Sequence, residues 1–151
     1  MAISSDAEFY IVVGKAVSKA IDEVIERIFA ELQLAIERDI YNSYSPTSDY
    51  DRTGELLTAW KHETKGLFGN IEFQPEELLN DPEGFHHNSP YGWDVRDQIF
   101  DILKHGYGAY NFREGKPIPS RPMWDEFIAK VDVKFDKWMR AALRRQGLVV
   151  I

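Results

Sequence analysis

At 151 residues, with 44% hydrophobic and 28% charged side chains, the chain is long enough to form one domain that buries its own core. A net charge of −7 argues against a nonspecific nucleic-acid binder, whose field must be positive. The chain has no cysteine, which excludes disulfides, thiolate chemistry and cysteine-based zinc sites.

Residues 1–13 read as an N-terminal lead-in, partly mobile, with acids and no basic stretch of the kind that opens a secretory signal. Its apolar run, Phe9 to Val13, is too short to span a bilayer. A soluble protein made in cytoplasm, with no membrane partner, is therefore expected. From Gly14 to Tyr41 the pattern is helical. Val17, Ala20, Ile21, Val24, Ile28, Leu32, Ala35 and Ile36 recur at spacings of three and four, and charged residues fall largely on other faces. Such a helix, roughly 40 Å long, needs a packing partner along much of its length or at one end.

Pro46 and Gly54 punctuate a loop that holds Tyr44, Tyr50 and Arg52. Leu56 to Trp60 reads as a short helical turn. Trp60 to Phe73 reads as two strands around a turn at Lys65-Gly66 or Phe68-Gly69-Asn70, with Ile71-Glu72-Phe73 alternating as a half-buried strand does. Residues 74–93 form a long irregular segment rich in proline and glycine. Asp94 caps a predicted helix to Lys104, with Val95, Ile99, Ile102 and Leu103 on its apolar side. After a glycine- and aromatic-rich stretch, Ser120 and Pro122 open a last helix that runs to about Gln146. Its apolar stripe is Trp124, Phe127, Ile128, Val131, Phe135, Trp138, Met139 and Leu143. Gly147 stops it, and residues 147–151 form an apolar tail that packs back or adds to a partner. The fold class is α+β: a long N-terminal helix, a small antiparallel sheet, a middle helix and a C-terminal helix around a single core spanning residues 14–146.

Candidate chemistry is sparse. His62, His86, His87 and His105 are the only residues suited to metal or acid–base work, and the adjacent His86-His87 pair lacks the spacing of a zinc site. No Gly-x-Ser-x-Gly elbow is present, and Gly106-Tyr107-Gly108 lacks the spacing of a phosphate loop. Asp49, Asp51 and Glu55 imitate a nuclease cluster, but Arg52 among them favours a surface ion-pair network. No catalytic, cofactor-binding or metal-binding residue is assigned, and no cofactor is expected. The charge distribution is uneven. Residues 72–83 carry Glu72, Glu76, Glu77, Asp81 and Glu83 without a base, while residues 134–145 carry Lys134, Lys137, Arg140, Arg144 and Arg145 against Asp136. These are either two solvated faces or complementary patches between neighbouring subunits.

Aromatics outside the helical faces are a stronger signal. Tyr44, Tyr50, Tyr91, Trp93, Tyr107, Tyr110 and Phe112, with Arg52, Arg113 and Arg121, have the composition of interface anchors. Tyr44-x-Pro46, Tyr50-x-Arg52-Thr53-Gly54-x-Leu56 and Ser120-Arg121-Pro122-Met123-Trp124 occur in that order. In these motifs the chain resembles the tail-completion (neck) proteins of long-tailed bacteriophages, from about residue 14 to 146. The 94–104 helix makes it most similar to versions from phages of Gram-positive bacteria, and residues 74–105 look like an elaboration.

The resemblance implies a structural virion protein, not an enzyme, that joins or completes the tail at the head–tail connector. It implies assembly as a ring, a hexamer or dodecamer, in the host cytoplasm. Expected partners are further copies of the chain, a head-side connector or head-closure protein, and a tail-terminator or tail-tube protein. DNA would pass through the channel without specific binding, which a net negative charge suits. Tyr44, Pro46, Tyr50, Arg52, Arg121 and Trp124 are the expected protein-interface residues, with Thr53, Gly54 and Pro122 shaping the loops. A tail-terminator or head-closure role in the same neck is the alternative. A small phage-encoded metal-dependent enzyme or regulator is the rival from a different class.

Overall fold

A computed structural model describes residues 5–42, 54–78, 96–105, 120–121 and 123–149. The architecture is α+β: two long helices, shorter helical turns and a two-stranded antiparallel hairpin. Helix α1 spans Asp6–Ile36 and α2 spans Glu55–Thr58. Strands β1 (Trp60–Lys65) and β2 (Phe68–Phe73) form the hairpin. Short 3-10 turns follow at Pro75–Glu77 and Arg96–Gln98, the second leading into α3 (Ile99–His105). Helix α4 spans Met123–Arg145.

Helix α1 begins at Asp6 rather than at Gly14. Its first turn is held by Ser5, whose Oγ accepts the Glu8 N–H at 3.3 Å and whose carbonyl accepts the Phe9 N–H at 3.1 Å. Ser5-Asp6-Ala7-Glu8 is the Ser-x-x-Glu pattern of a helix start, and Asp6 and Glu8 sit favourably at the positive end of the dipole. Apolar periodicity does not reveal this turn, because residues 9–13 are apolar on every side and mark no face. At its other end the helix widens into a π-helical turn, Glu37–Tyr41, closed by the Asn42 N–H on the Glu37 carbonyl at 2.8 Å.

The hairpin turn is Gly66-Leu67. Gly66 has φ 63°, the left-handed value that the first central residue of a two-residue hairpin turn adopts at least cost when it is glycine. Gly69, a candidate turn residue by sequence, instead lies within β2. Helix α4 ends in a Schellman motif. Gly147 has φ 81°, its N–H bonds the Arg144 carbonyl at 2.9 Å, and the Leu148 N–H reaches the Leu143 carbonyl at 3.0 Å. Leu148 is half-buried and Val149 exposed.

By contacts the chain divides into two compact units, Met1–Leu32 with His62–Glu72 and Ala129–Ile151, and Gln33–Lys61 with Phe73–Ile128. In the first, Ala20, Val24, Trp138 and Ala142 form a buried cluster, with Ile28, Val131, Met139 and Leu143 packed against it. The helices run antiparallel there: Arg145 pairs with Glu23, Arg27 lies over the Trp138 ring at 5.2 Å, and Lys130 pairs with Glu31. Lys134 reaches both Glu31, at 3.9 Å, and the Trp138 ring, at 5.7 Å. Of the α4 stripe, Phe135 stays substantially exposed, because the stripe is wider than the surface that covers it. The hairpin lies against α1 at Gly69, where an added Cβ would fall 2.5 Å from Ile25 Cδ1 and closer still to Cγ1. Farther along, the Phe29 and His62 rings meet at 4.5 Å.

In the second unit, Ala35, Ile36, Leu56, Ala59, Trp60, Leu78, Met123 and Phe127 are buried. The Gln74 N–H donates to the Ala59 carbonyl at 2.7 Å, continuing the hairpin pairing just beyond the open ends of the strands.

Candidate protein-interaction site

Tyr44, Pro46, Tyr50, Arg52, Thr53 and Pro122 lie outside the described residues, as do Tyr91, Trp93, Tyr107, Tyr110, Phe112 and Arg113. Gly54, Arg121 and Trp124 are described, all within the second unit.

Gly54 occupies the cap position of α2 with φ 74°, in the left-handed region. A glycine has no side-chain oxygen with which to satisfy the free N–H groups of a helix start. The Tyr41 hydroxyl takes that role, accepting the Leu56 N–H at 3.2 Å. This bond ties the residue just before the segment to the residue just after it, fifteen positions apart in sequence.

Arg121 works on the same stem. Its Nη1 donates to the Asp39 carbonyl at 3.0 Å and the Ile40 carbonyl at 3.2 Å. These oxygens belong to the last turn of the first helix, where carbonyls lack helical partners and the dipole is negative, so a guanidinium is the suited donor. The Arg121 backbone N–H donates to the Leu103 carbonyl at 2.9 Å, which fixes α3 beside the entry to α4. Arg38 adds ion pairs with Asp39 at 2.5 Å and Glu126 at 3.5 Å, and Lys104 one with Asp125 at 3.6 Å.

Trp124 is half-buried in an aromatic cluster. It stacks on Trp60 with centroids 6.0 Å apart and rings 19° from parallel, and tilts against Phe127 at 5.5 Å. Trp60 in turn meets Phe73 at 5.1 Å. Thus Arg121 and Trp124 are engaged within the fold while each keeps part of its surface open. Between them Ile40, Leu103, Lys104 and Met123 line a shallow depression with no enclosed space. The arrangement is a hydrogen-bonded stem beside a cluster of aromatic rings.

Of the histidines, His62 is exposed against Phe29, His105 ends α3, and His86 and His87 lie outside the described residues. Among the described residues no group of three or more His, Asp or Glu is placed to hold a metal ion. Much of the basic stretch is neutralised locally: Arg140 by Asp136 at 2.8 Å, Arg145 by Glu23 and Lys134 by Glu31. From the acidic stretch, Glu77 binds Lys61 at 2.6 Å, and this hydrogen bond raises the Lys61 pKa above its ordinary value.

Tyr41, Asp39 and Ile40 have structural parts that sequence reasoning did not assign. A tyrosine ending a helical pattern is no signal of a hydroxyl aimed at a backbone N–H, and carbonyl acceptors have no sequence signature. Compared with protein-family models, curated proteins and solved structures, the chain matches none. No helix among the described residues is long and apolar enough to cross a membrane.

Proposed function

We propose that this protein is a structural component of the neck of a long-tailed bacteriophage, completing the tail and joining it as a ring to the DNA-filled head. One observation carries the reading. The motif segments that prompted it, far apart in sequence, converge on one stem: Leu56 is tied to Tyr41, and Arg121 to Asp39 and Ile40. A segment clamped at both ends loses less freedom on meeting a partner than a free one, so more of its contact energy appears as affinity. The tyrosines, proline and arginine of that segment supply the contact chemistry.

In vitro complementation tests the reading. Purified wild-type protein, added to a lysate of the phage lacking this gene, restores plaque-forming particles by joining stored heads to stored tails. Tyr50→Ala protein fails to restore them while keeping the wild-type melting temperature. A lysate that wild-type protein cannot rescue speaks against a joining role. A sharp drop in the melting temperature of Tyr50→Ala would make Tyr50 a core residue instead.

A further inference from the structure

The hairpin holds one register from end to end. A two-residue turn joins Lys65 to Phe68, and beyond the open ends the Gln74 N–H meets the Ala59 carbonyl. Between those points Glu63 and Asn70 face each other as a hydrogen-bonded pair, so the N–H and C=O groups of His62 and Thr64 point away from β2. Among the described residues β2 is the one strand paired with β1. The other edge of β1 lies on the side away from α4. Along α1, Ala20 and Val24 pack on α4, Ile25 lies against Gly69 of β2, and Phe29 meets His62 of β1. At about 3.6 residues per turn these positions sweep round α1 in that order, so β2 is the strand nearer α4 and β1 the farther one.

Side chains along β1 alternate between its two faces. With His62 turned toward α1, Glu63 and Lys65 stand on the outer face. Both are exposed, and neither makes an ion pair among the described residues. Thr64 between them turns inward, and its Oγ1 is buried with no hydrogen-bond partner among the described residues. A buried hydroxyl in that state is unfavourable, and a neighbour able to bond it relieves the cost.

We propose that β1 pairs with β1 of a second copy, antiparallel and centred on Thr64, so that two hairpins join into one four-stranded sheet. In that register Glu63 of each copy stands opposite Lys65 of the other, which gives two opposite-charge pairs on the outer face. The Thr64 backbone groups exchange hydrogen bonds across the two-fold axis. On the inner face the two Thr64 hydroxyls meet, and each becomes the other's partner. Neighbouring registers are poorer. One centred on Glu63 sets that carboxylate against itself, and one centred on His62 needs Lys61, which Glu77 already holds. The contact is isologous and stops at two copies, and it covers a strand edge that would otherwise template indiscriminate pairing. The overlap is short beside a standard interface, so the pair is weak and forms in concentrated protein. The inference goes beyond the neck reading and does not rest on it.

Sedimentation equilibrium on the full chain, from micromolar to millimolar concentration at low ionic strength, tests the proposal. Wild-type protein approaches twice its monomer mass and no more. Thr64→Pro lacks the outward N–H but none of the hairpin's own bonds, so it keeps the wild-type circular dichroism and stays monomeric. Glu63→Lys and Lys65→Glu each set like charges opposite one another, and each associates at least about tenfold more weakly. Both changes fall on exposed side chains, so these variants decide the matter even if Thr64→Pro unfolds the hairpin. Mixed in equal amounts, the two charge variants form one-to-one pairs of near wild-type strength, because each meets its opposite in the other. Wild-type protein that stays monomeric throughout, or that grows past two copies, overturns the proposal. So do dimers of folded Thr64→Pro, and charge variants that pair no better together than alone. These readings need no virion, so their failure is separable from failure of the neck assignment.

Discussion

Arg121 concentrates several constraints in one side chain. Its guanidinium serves two carbonyls at the end of the first helix, and its backbone N–H serves a third on α3. Hydrogen bonds from a charged donor contribute about 1.5–3 kcal/mol, so Arg121→Ala should lower stability by about that amount in a denaturant titration. Lysine retains the charge but not the forked donor, so Arg121→Lys should recover only part of the loss. Gly54 poses a narrower question, because space around it is open and only its φ of 74° resists a side chain. Gly54→Ala should cost about 1–2 kcal/mol from backbone strain alone, and Gly54→Asn less. Lys61 gives a pH prediction. Its folded-state pKa is raised by Glu77, so the pair stabilises the fold below the ordinary lysine value of 10.5 and that contribution is lost as pH rises through the raised value. Both partners are exposed, so the change in melting temperature should be small and absent in Lys61→Met.

At the scale of elements, the contact between hairpin and α1 depends on Gly69. Adding a methyl group there drives it into Ile25, so Gly69→Ala should cost about 1–3 kcal/mol, and that cost should be smaller in an Ile25→Ala background, which lacks both clashing carbons. Recovery in a double-mutant cycle would show that the two positions share one contact. The long helices and the hairpin were legible in the sequence because period and punctuation agreed: three-and-four spacing from Val17 to Ile36, alternation at Ile71-Glu72-Phe73, and Gly147 as a stop. The start of α1 was less legible, since Phe9 to Val13 carries no period, although Ser5 and Glu8 spelled the cap. The π-helical turn left no trace in composition. For the site, sequence pointed to Gly54, Arg121 and Trp124 as residue types but not to their acceptors. Tyr41, Asp39 and Ile40 enter through a hydroxyl and two carbonyls that only the fold brings within reach.

At the scale of the whole molecule, the proposed neck role draws on the stem that ties Tyr41 to Leu56 and Arg121 to Asp39 and Ile40. In the proposed neck role, a net charge of −7 suits a ring that DNA has to pass without adhering. The most direct measurement is negative-stain microscopy of phage lysates from which this gene alone is deleted. The proposed joining role predicts DNA-filled heads beside separate, full-length tails. Intact infectious particles in the same lysate would contradict it.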